Sequence, residues 1–227
     1  MTALPRPLPS YIDHTLLRPE ATQAAVRQVV EEGALHGFAA VVVPPVHVPL
    51  AASILAGTGV HVGTVAAFPL GYSRPEVRRE ESLQAVGDGA LEVDTVINLS
   101  WLKGGEDGRV ADDLGAWVEA LRAERDGLVL KVILETALLE DAEKLRGAGL
   151  VAAAGADFVK TSTGFGPEGA TVADVALLAG ALAAGTGQVG VKAAGGIRDA
   201  ETALAMIAAG ATRLGTSSGV AILRSLS

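Results

Sequence analysis

Short β-rich runs alternate with longer helical patterns along almost the whole of this sequence. A repeated strand, helix, strand unit predicts parallel strands that are joined by helical crossovers. The eight β-rich runs are YIDHT (11–15), AAVVV (39–43), VHVGTVAAF (60–68), LEVDTVI (91–97), LVLKVIL (128–134), DFVKTS (157–162), VGVKAA (189–194) and TRLGTS (212–217).

The segments between these runs carry helix signals. ATQAAVRQVVEEGALHG (21–37) has apolar residues at helical spacing and ends on Gly37, a residue type that favours a left-handed C-cap. VADVALLAGALAAG (172–185) is broken by Asp174 and by glycines and is too short to cross a bilayer, which predicts a buried or half-buried helix. Three turns into strands share a Gly-Ala step, in DGALEVD, AGADFVK and AGATRLG, which indicates similar turn geometry.

Eight parallel strands can form either an open doubly wound sheet or a closed barrel. An open nucleotide-binding sheet is expected to carry G-x-G-x-x-G after an early strand, and neither YIDHT nor AAVVV is followed by such a loop. The 227 residues also match the length of one barrel domain, roughly 200 to 250 residues. We therefore predict an α/β fold, a (β/α)8 TIM barrel, as a single domain over 1–227 with 1–10 as an N-terminal extension.

Composition excludes several classes of protein. The absence of cysteine rules out disulfides, thiolate metal sites and cysteine nucleophiles. A net charge of −8 without any basic run argues against a nucleic-acid binder. The four histidines show no metal-ligand spacing, which argues against a metal-dependent mechanism. The N-terminus lacks the apolar segment of a secretory signal, and we expect a cytoplasmic protein with no membrane partner.

In barrels of this type the reacting groups lie at the C-terminal ends of the strands. The whole chain has only five lysines, and three of them, Lys131, Lys160 and Lys192, fall in predicted strands. A single strand lysine is commonly explained by a snorkelling ammonium group or a salt bridge. The polar residues that we place at the strand ends are Asp13, Thr15, Thr64, Asp94, Lys131, Glu135, Lys160, Lys192, Thr216, Ser217 and Ser218.

Lys160 and Lys192 lie on consecutive predicted strands at similar depth, so their ammonium groups are expected to approach one another. A like charge together with partial burial lowers the pKa of one amine, which then becomes a nucleophile for carbonyl carbon. This is the chemistry of a Schiff base. Asp94 is a candidate for moving the protons of that reaction, or alternatively a structural partner of Lys131 or Lys192. Lys131 either orients Asp94 or neutralises its charge.

Glycine-bearing loops follow the last three predicted strands, and they are typical of close backbone approach to a ligand. Loops seven and eight form the usual phosphate site of barrels, although the two serines could equally cap a helix. The candidate phosphate-binding residues are Gly164, Gly195, Gly196, Gly215, Ser217 and Ser218.

An ordered set of motifs resembles the deoxyribose-phosphate aldolase family of class I aldolases. The motifs are IDHTLL, FPLG, EVDTVINLSWLKGG, KVILET, FVKTSTGFG, VKAAGGIR and GTSSG, which together span about residues 11–222. The resemblance implies that Lys160 forms the Schiff base, with Asp94 and Lys192 as the proton donor and acceptor pair. It also implies that Thr15, Lys131 and the six phosphate-site residues named above contact the substrate.

The implied reaction is the reversible cleavage of 2-deoxy-D-ribose 5-phosphate to D-glyceraldehyde 3-phosphate and acetaldehyde, in deoxyribonucleotide breakdown. No metal or organic cofactor takes part in it. The resemblance further implies a homodimer or a homotetramer whose partners are otherwise small sugar phosphates and aldehydes.

Several residues depart from the pattern of that family. Ala67 stands where glycine is common, and Phe165 stands where some relatives have lysine. Val42 and Pro44 stand where relatives often have cysteine and asparagine, and we expect activity to be retained because that cysteine takes no part in imine chemistry. Crotonaldehyde should therefore cause no rapid irreversible inactivation. Rapid loss of activity on incubation with crotonaldehyde would contradict this.

Two other functions are compatible with the residues alone. One is an isomerase or epimerase of sugar phosphates that uses Asp94 and Glu135 as acid and base without an imine. The other is a non-catalytic binder of phosphorylated metabolites in which the lysines only hold charge.

Overall fold

A computed structural model describes residues 4–185 and 189–225 of the chain. Eight parallel strands form a closed barrel in chain order, so the predicted barrel is confirmed and the open sheet is wrong. Every strand lies within one of the predicted β-rich runs. The strands are β1 (Ile12–Thr15), β2 (Ala40–Val42), β3 (His61–Ala66), β4 (Glu92–Val96), β5 (Val129–Ile133), β6 (Phe158–Lys160), β7 (Gly190–Ala194) and β8 (Arg213–Thr216).

At least one helix follows each strand. The helices are α1 (Gln23–His36), α2 (Val48–Leu55), α3 (Pro75–Gly87), α4 (Leu99–Lys103), α5 (Asp107–Glu124), α6 (Asp141–Ala153), α7 (Val172–Ala184), α8 (Ala200–Ala208) and α9 (Gly219–Arg224). The predicted end of α1 is confirmed, because Gly37 has a φ of 62° and its N–H bonds to the carbonyl of Gly33. Short 3-10 turns cover Leu8–Tyr11, Pro45–His47 and Thr136–Leu138.

The Gly-Ala steps do share one turn geometry, as predicted. Gly89, Gly155 and Gly210 all have positive φ values, of 112°, 82° and 111°. The alanine that follows each of them is buried. These turns lead into β4, β6 and β8, so alternate strands of the barrel enter the sheet in the same way.

Aliphatic side chains fill most of the layer between the barrel and its helices, in agreement with an aromatic content of only 4% in the sequence. The longest helix, α5, buries Leu114, Trp117 and Leu121 at intervals of three and four residues, which is one face of a helix. The indole N–H of Trp117 donates to the Ser82 hydroxyl of α3 at 2.9 Å, so this large side chain has no unpaired polar group.

The chain before β1 packs under the barrel. The predicted extension, 1–10, begins outside the described residues, but Leu8 and Tyr11 are buried in the main core cluster. The boundary of the domain at this end stays a prediction. Within residues 4–185 and 189–225, no helix is both long and apolar enough to cross a membrane.

Ala67 follows β3 with a φ of 51°, in the left-handed region that glycine adopts without strain. Its N–H donates to the Glu81 carboxylate at 2.8 Å, which fixes this conformation. We therefore expect Ala67→Gly to raise the free energy of unfolding by about 1 kcal/mol, because the strain of a Cβ at this φ exceeds the entropy that glycine adds to the unfolded chain.

Urea denaturation measures this effect, and Ala66→Gly is the matched control. Ala66 is fully buried in β3, where glycine is expected to destabilise. Equal destabilisation by both substitutions would contradict the assignment of strain to Ala67.

Candidate active site

The candidate catalytic residues lie inside the barrel, and most of them are not at strand ends. Asp94, Lys131 and Lys192 are each the third residue of a five-residue strand, and only Lys160 is the last residue of its strand. The expected position of the first three at the ends is thus corrected to the interior layer beneath the ends. Strand side chains alternate between the two faces, and these residues fall on the inward one. Asp94 is in register with Lys131, and Lys160 with Lys192.

The Asp94 carboxylate connects the three lysines. Its Oδ1 accepts a hydrogen bond from Lys131 at 2.7 Å, and its Oδ2 accepts from Lys160 and from Lys192, each at 2.8 Å. The predicted approach of Lys160 to Lys192 is therefore confirmed, since both amines contact one oxygen atom. The alternative pairing of Asp94 with Lys131 or Lys192 is also present, so the structural and chemical interpretations of Asp94 do not exclude each other.

The pKa values of this cluster move in different directions. Burial, followed by the like charges of Lys192 and Lys131, lowers the pKa of Lys160 to about 8 against the opposing attraction of Asp94. Burial alone would raise the pKa of Asp94, but Lys131, Lys160 and Lys192 together hold it well below its usual range. For Lys131, burial is outweighed by the nearby carboxylates and the pKa is raised. Lys160 thus loses its proton at a lower pH than an ordinary lysine does.

A lower tier of charges lies deeper in the barrel. The Glu92 carboxylate contacts Lys131 at 2.7 Å and Arg213 at 3.0 Å. Arg213 also donates to Asp13 at 2.6 Å, and Asp13 in turn accepts from Lys192. At the N-terminal rim of the barrel, the half-exposed His61 ring bonds to Glu92 at 2.9 Å. A continuous network therefore joins the rim to the nucleophile candidate.

Reasoning from the sequence missed Glu92 and Arg213. Both are the first residue of a strand, a position where a charged side chain is ordinarily solvated. The available signal is spacing, because Glu92 is two residues before Asp94 and therefore points to the same face. Arg213 is likewise two residues before Gly215, so it lies on the same face of β8 as that residue of the cavity wall.

A cavity of about 340 Å³ opens above Lys160. Residues from the loops after β1, β6, β7 and β8 line it, together with Lys160 itself. Six of the eight predicted substrate-binding residues lie in this wall, and Lys131 and Ser218 do not. The lining residues are Thr15, Leu16, Leu17, Arg18, Lys160, Thr163, Gly164, Phe165, Ala194, Gly195, Gly196, Ile197, Arg198, Gly215, Thr216 and Ser217.

The two exceptions have clear positions. Lys131 is fully buried one layer below the cavity, where Glu92 and Asp94 hold its ammonium group. Ser218 occupies the N-cap position of α9, but its hydroxyl makes no capping bond, and its N–H donates to Thr216. Of the two roles considered for Lys131, both orientation and neutralisation of Asp94 agree with its contacts.

Two glycines in the cavity wall are required by close packing. A Cβ at Gly215 would lie 3.1 Å from Cε of Lys192, so the missing side chain makes room for that lysine. A Cβ at Gly195 would lie 2.8 Å from Cα of Gly169, and φ at Gly195 is +89°. These glycines therefore shape the site in addition to offering backbone amides to a ligand.

Two arginines in the wall were not predicted. Arg18 follows β1 and Arg198 follows β7, so they flank the β8 loop from both sides. Both are exposed, and neither lies within 4.0 Å of a carboxylate among the residues that the structure describes. Phe165 supplies no positive charge at the position where some relatives have a lysine. The cavity wall nevertheless contains the two guanidinium groups of Arg18 and Arg198. Phe165 instead packs edge-on against Phe68, with ring centroids 5.5 Å apart.

Glu135 is not placed to act as an acid or base in the cavity. It is 4% exposed, and its carboxylate accepts hydrogen bonds from the hydroxyl and the N–H of Thr163. Its backbone is in the left-handed region, with φ of 53°. Glu135 therefore braces the loop after β6, and the isomerase hypothesis that paired it with Asp94 loses its second residue. Thr64 and Thr216 likewise donate to backbone carbonyls.

No group of three or more His, Asp or Glu side chains in the described ranges has the arrangement of a metal site. The cluster around Asp94 offers an amine with a lowered pKa, next to a carboxylate and a second amine. Such an arrangement suits nucleophilic attack on a carbonyl carbon with local proton transfer.

Comparisons with known proteins agree with this chemistry. A family model described as DeoC/LacD family aldolase matches residues 9–226. The deoxyribose-phosphate aldolase of Desulfitobacterium hafniense is 50% identical over 217 residues, which cover 95% of this chain and 97% of that protein. The deoxyribose-phosphate aldolase of Caldanaerobacter subterraneus is 49% identical over 212 residues, which cover 93% of this chain and 90% of that protein.

Solved structures give the same result. The tetrameric deoxyribose phosphate aldolase of Aeropyrum pernix has a TM-score of 0.89 and 36% identity, and the match covers 96% of this chain and 90% of that one.

Proposed function

Because the chain belongs to the DeoC/LacD family of aldolases, we infer that it is a lyase that reversibly cleaves 2-deoxy-D-ribose 5-phosphate to D-glyceraldehyde 3-phosphate and acetaldehyde. It does so as a class I aldolase, with Lys160 as the amine that forms the Schiff base. The observation that carries the assignment is the position of Lys160 at the floor of the cavity with a pKa lowered to about 8.

The first half of the reaction builds the imine. The free amine of Lys160 attacks C1 of the open-chain aldehyde and gives a carbinolamine, which loses water to form an iminium ion. The leaving hydroxyl needs a proton, and the amine must lose one. Lys192 and Asp94 are within hydrogen-bond reach of the nitrogen or of each other, so they move these protons directly or through a water.

The second half breaks the C2–C3 bond. A base removes the proton of the C3 hydroxyl, the electron pair of the C2–C3 bond moves toward the iminium nitrogen, and D-glyceraldehyde 3-phosphate leaves. The acetaldehyde enamine that remains on Lys160 is protonated at C2. Hydrolysis of the resulting iminium ion releases acetaldehyde and restores the amine, so no redox partner is needed.

The phosphate of the substrate is proposed to lie against the loops after β6, β7 and β8, between Arg18 and Arg198. Arg18→Met should raise KM for 2-deoxyribose 5-phosphate about tenfold, since a charge-assisted hydrogen bond is lost at a solvated position, and should leave kcat nearly unchanged. With unphosphorylated 2-deoxyribose, kcat/KM should not change. Steady-state kinetics with both sugars measure the two effects.

Arg74→Met is the matched control for this prediction. Arg74 is also exposed, but it pairs loosely with Glu76 and lies outside the cavity. A rise in KM that is equal for both sugars, or equal in the two variants, would show that Arg18 does not contact the phosphate.

The experiment that tests the catalytic assignment is reductive trapping. The protein is incubated with acetaldehyde and sodium borohydride, digested and mapped by mass spectrometry. A reduced two-carbon adduct on Lys160 is expected. An adduct that maps to Lys192 or Lys131, or no substrate-dependent adduct, would overturn the assignment of the nucleophile.

We propose that the protein assembles as a homodimer or homotetramer. Support comes from a cluster of exposed apolar residues after β3, where Leu70, Tyr72 and Val77 have 54%, 73% and 52% of their surface exposed. Large apolar side chains grouped in this way are typical of protein interfaces. Light scattering after size exclusion gives the mass, and a monomer at micromolar concentration would contradict the proposal.

We also propose that the reaction takes place in the cytoplasm. A phosphorylated sugar is charged and does not cross a bilayer unaided, so the enzyme must share a compartment with the source of its substrate. Cell fractionation with an assay for acetaldehyde release tests the location, and activity confined to a secreted fraction would contradict it.

A further inference from the structure

The lower tier of charges in the barrel has no direct contact with the cavity. Glu92 and Arg213 are at least one layer below it, and neither lines its wall. Both are nevertheless buried or nearly so, and both are held by two or more charged partners. Burying charge is costly, and a hydrophobic layer of the same volume is often more stable than an ion network. We therefore expect these buried charges to have a role other than stabilising the fold.

Counting charges indicates what that role is. Apart from Lys160, the buried network contains three carboxylates, Asp13, Glu92 and Asp94, and three cations, Lys131, Lys192 and Arg213. The network is therefore formally neutral when Lys160 is a free amine. It carries one excess positive charge when Lys160 is an ammonium or an iminium group.

On this basis we propose that Glu92 and Arg213 are positioning residues that act through charge balance, and that they bias the protonation of the Lys160 amine from below in opposite directions. The proposal rests on the function inferred above for Lys160. Glu92 acts through Lys131, which it contacts at 2.7 Å and which in turn contacts Asp94. Arg213 acts through Asp13, which contacts Lys192.

The other ionisable groups near Lys160 do not replace this pair. His61 bonds to Glu92 from the barrel rim and is 41% exposed, so water screens its effect. Glu135 faces away into the β6 loop, where Thr163 occupies its carboxylate. Arg18 and Arg198 lie in the solvated cavity wall. Glu92 and Arg213 are therefore charges outside the catalytic tier that water screens little, with 0% and 11% of their side chains exposed.

The two residues have opposite predicted effects on the pH dependence of the reaction. Glu92→Gln removes a negative charge, which disfavours the ammonium form of Lys160, so the acid limb of the kcat/KM profile should move to lower pH. Arg213→Met removes a positive charge, which favours the ammonium form, so the limb should move to higher pH. For buried charges roughly 10 Å apart, a shift on the order of one pH unit is expected in each case.

The double variant Glu92→Gln/Arg213→Met is the decisive one. It removes one charge of each sign and leaves the network neutral with Lys160 as a free amine. Its acid limb should therefore return to the position in the unmodified enzyme. A purely structural role would instead lower activity in all three variants without opposite shifts or their cancellation.

Asp113→Asn is the matched control. Asp113 forms a buried ion pair with Arg78 at 2.7 Å, but it lies between α5 and α3, outside the barrel interior. This variant should lose stability without a shift of the limb. Equal shifts in Asp113→Asn and Glu92→Gln would overturn the proposal.

The unmodified enzyme supplies the reference position for these shifts. Its limb should lie near pH 8, since the kcat/KM profile reports groups of the free enzyme. Limbs of Glu92→Gln and Arg213→Met that lie on the same side of this reference would overturn the proposal. Failure of the inferred function is distinguishable, because reductive trapping would then give no adduct on Lys160 at any pH.

Discussion

Lys160→Arg is expected to lose turnover by roughly 10⁴-fold or more, because removal of the nucleophile abolishes the covalent route. The guanidinium group of arginine keeps its proton at every accessible pH and does not add to a carbonyl. It also leaves the buried network with an excess positive charge. An assay of D-glyceraldehyde 3-phosphate release measures the loss, and borohydride trapping should detect no adduct.

Lys160→Met separates chemistry from binding. Methionine is close to lysine in length and leaves the network neutral, so the cavity should keep its shape. Calorimetry should give affinity for 2-deoxyribose 5-phosphate within about tenfold of the unmodified protein, since the proposed phosphate contacts are unchanged. Turnover above about 1% of the original in either variant would mean that another group carries the reaction.

Asp94→Asn should reduce both turnover and stability. The amide cannot accept a proton as the carboxylate does, and loss of general acid-base transfer commonly lowers rates about 10² to 10⁴-fold. The change also leaves Lys131, Lys160 and Lys192 without the negative charge that compensates their own. Removing one partner from a buried network of this kind costs about 3 to 5 kcal/mol.

Two measurements on Asp94→Asn separate these effects. Urea denaturation gives the free energy of unfolding, and kcat at a temperature where the variant is fully folded gives the chemical effect. Asp113→Asn should lose stability while it keeps kcat, since its carboxylate is remote from the cavity. If Asp94→Asn retained kcat within threefold, Asp94 would be a structural ion only.

The fold could be predicted because the barrel imposes a regular pattern on the sequence. Each strand is buried on both faces and therefore appears as a continuous run of apolar residues, whereas each helix buries one apolar stripe. Continuous apolar runs and helical spacing therefore alternate along the sequence. All eight runs contain a strand. The depth of a residue within its strand was harder to predict, because reacting groups in barrels of this type are expected at the strand ends. Asp94, Lys131 and Lys192 instead lie near the middle of their β-rich runs and of their strands.

The upper part of the site could be predicted from the chemistry of its residues. Few lysines occur in the chain, and an ammonium group in an apolar strand needs an explanation, so Lys160 and Lys192 were apparent. Glu92 and Arg213 were not, because each looks like a solvated residue at the edge of a run. Only the closed barrel brings β1, β4, β5 and β8 close enough for their charges to meet.

Arg18 illustrates a different limit. It belongs to the β1 loop, and nothing in the local sequence shows that this loop neighbours the β8 loop. The first and last strands pair with each other, and that pairing places Arg18 in the cavity wall. Contacts between residues this far apart in the chain depend on the closure of the barrel.

The pairing of the first and last strands also has a consequence for the chain during its synthesis. Asp13 reaches partners 179 and 200 positions further along, at Lys192 and Arg213. A polypeptide still emerging from the ribosome already contains Lys160, but it lacks the charges that complete the balance around that amine. The reactivity of the nucleophile therefore belongs to the finished molecule, and a nascent or truncated chain carries an ordinary lysine in its place.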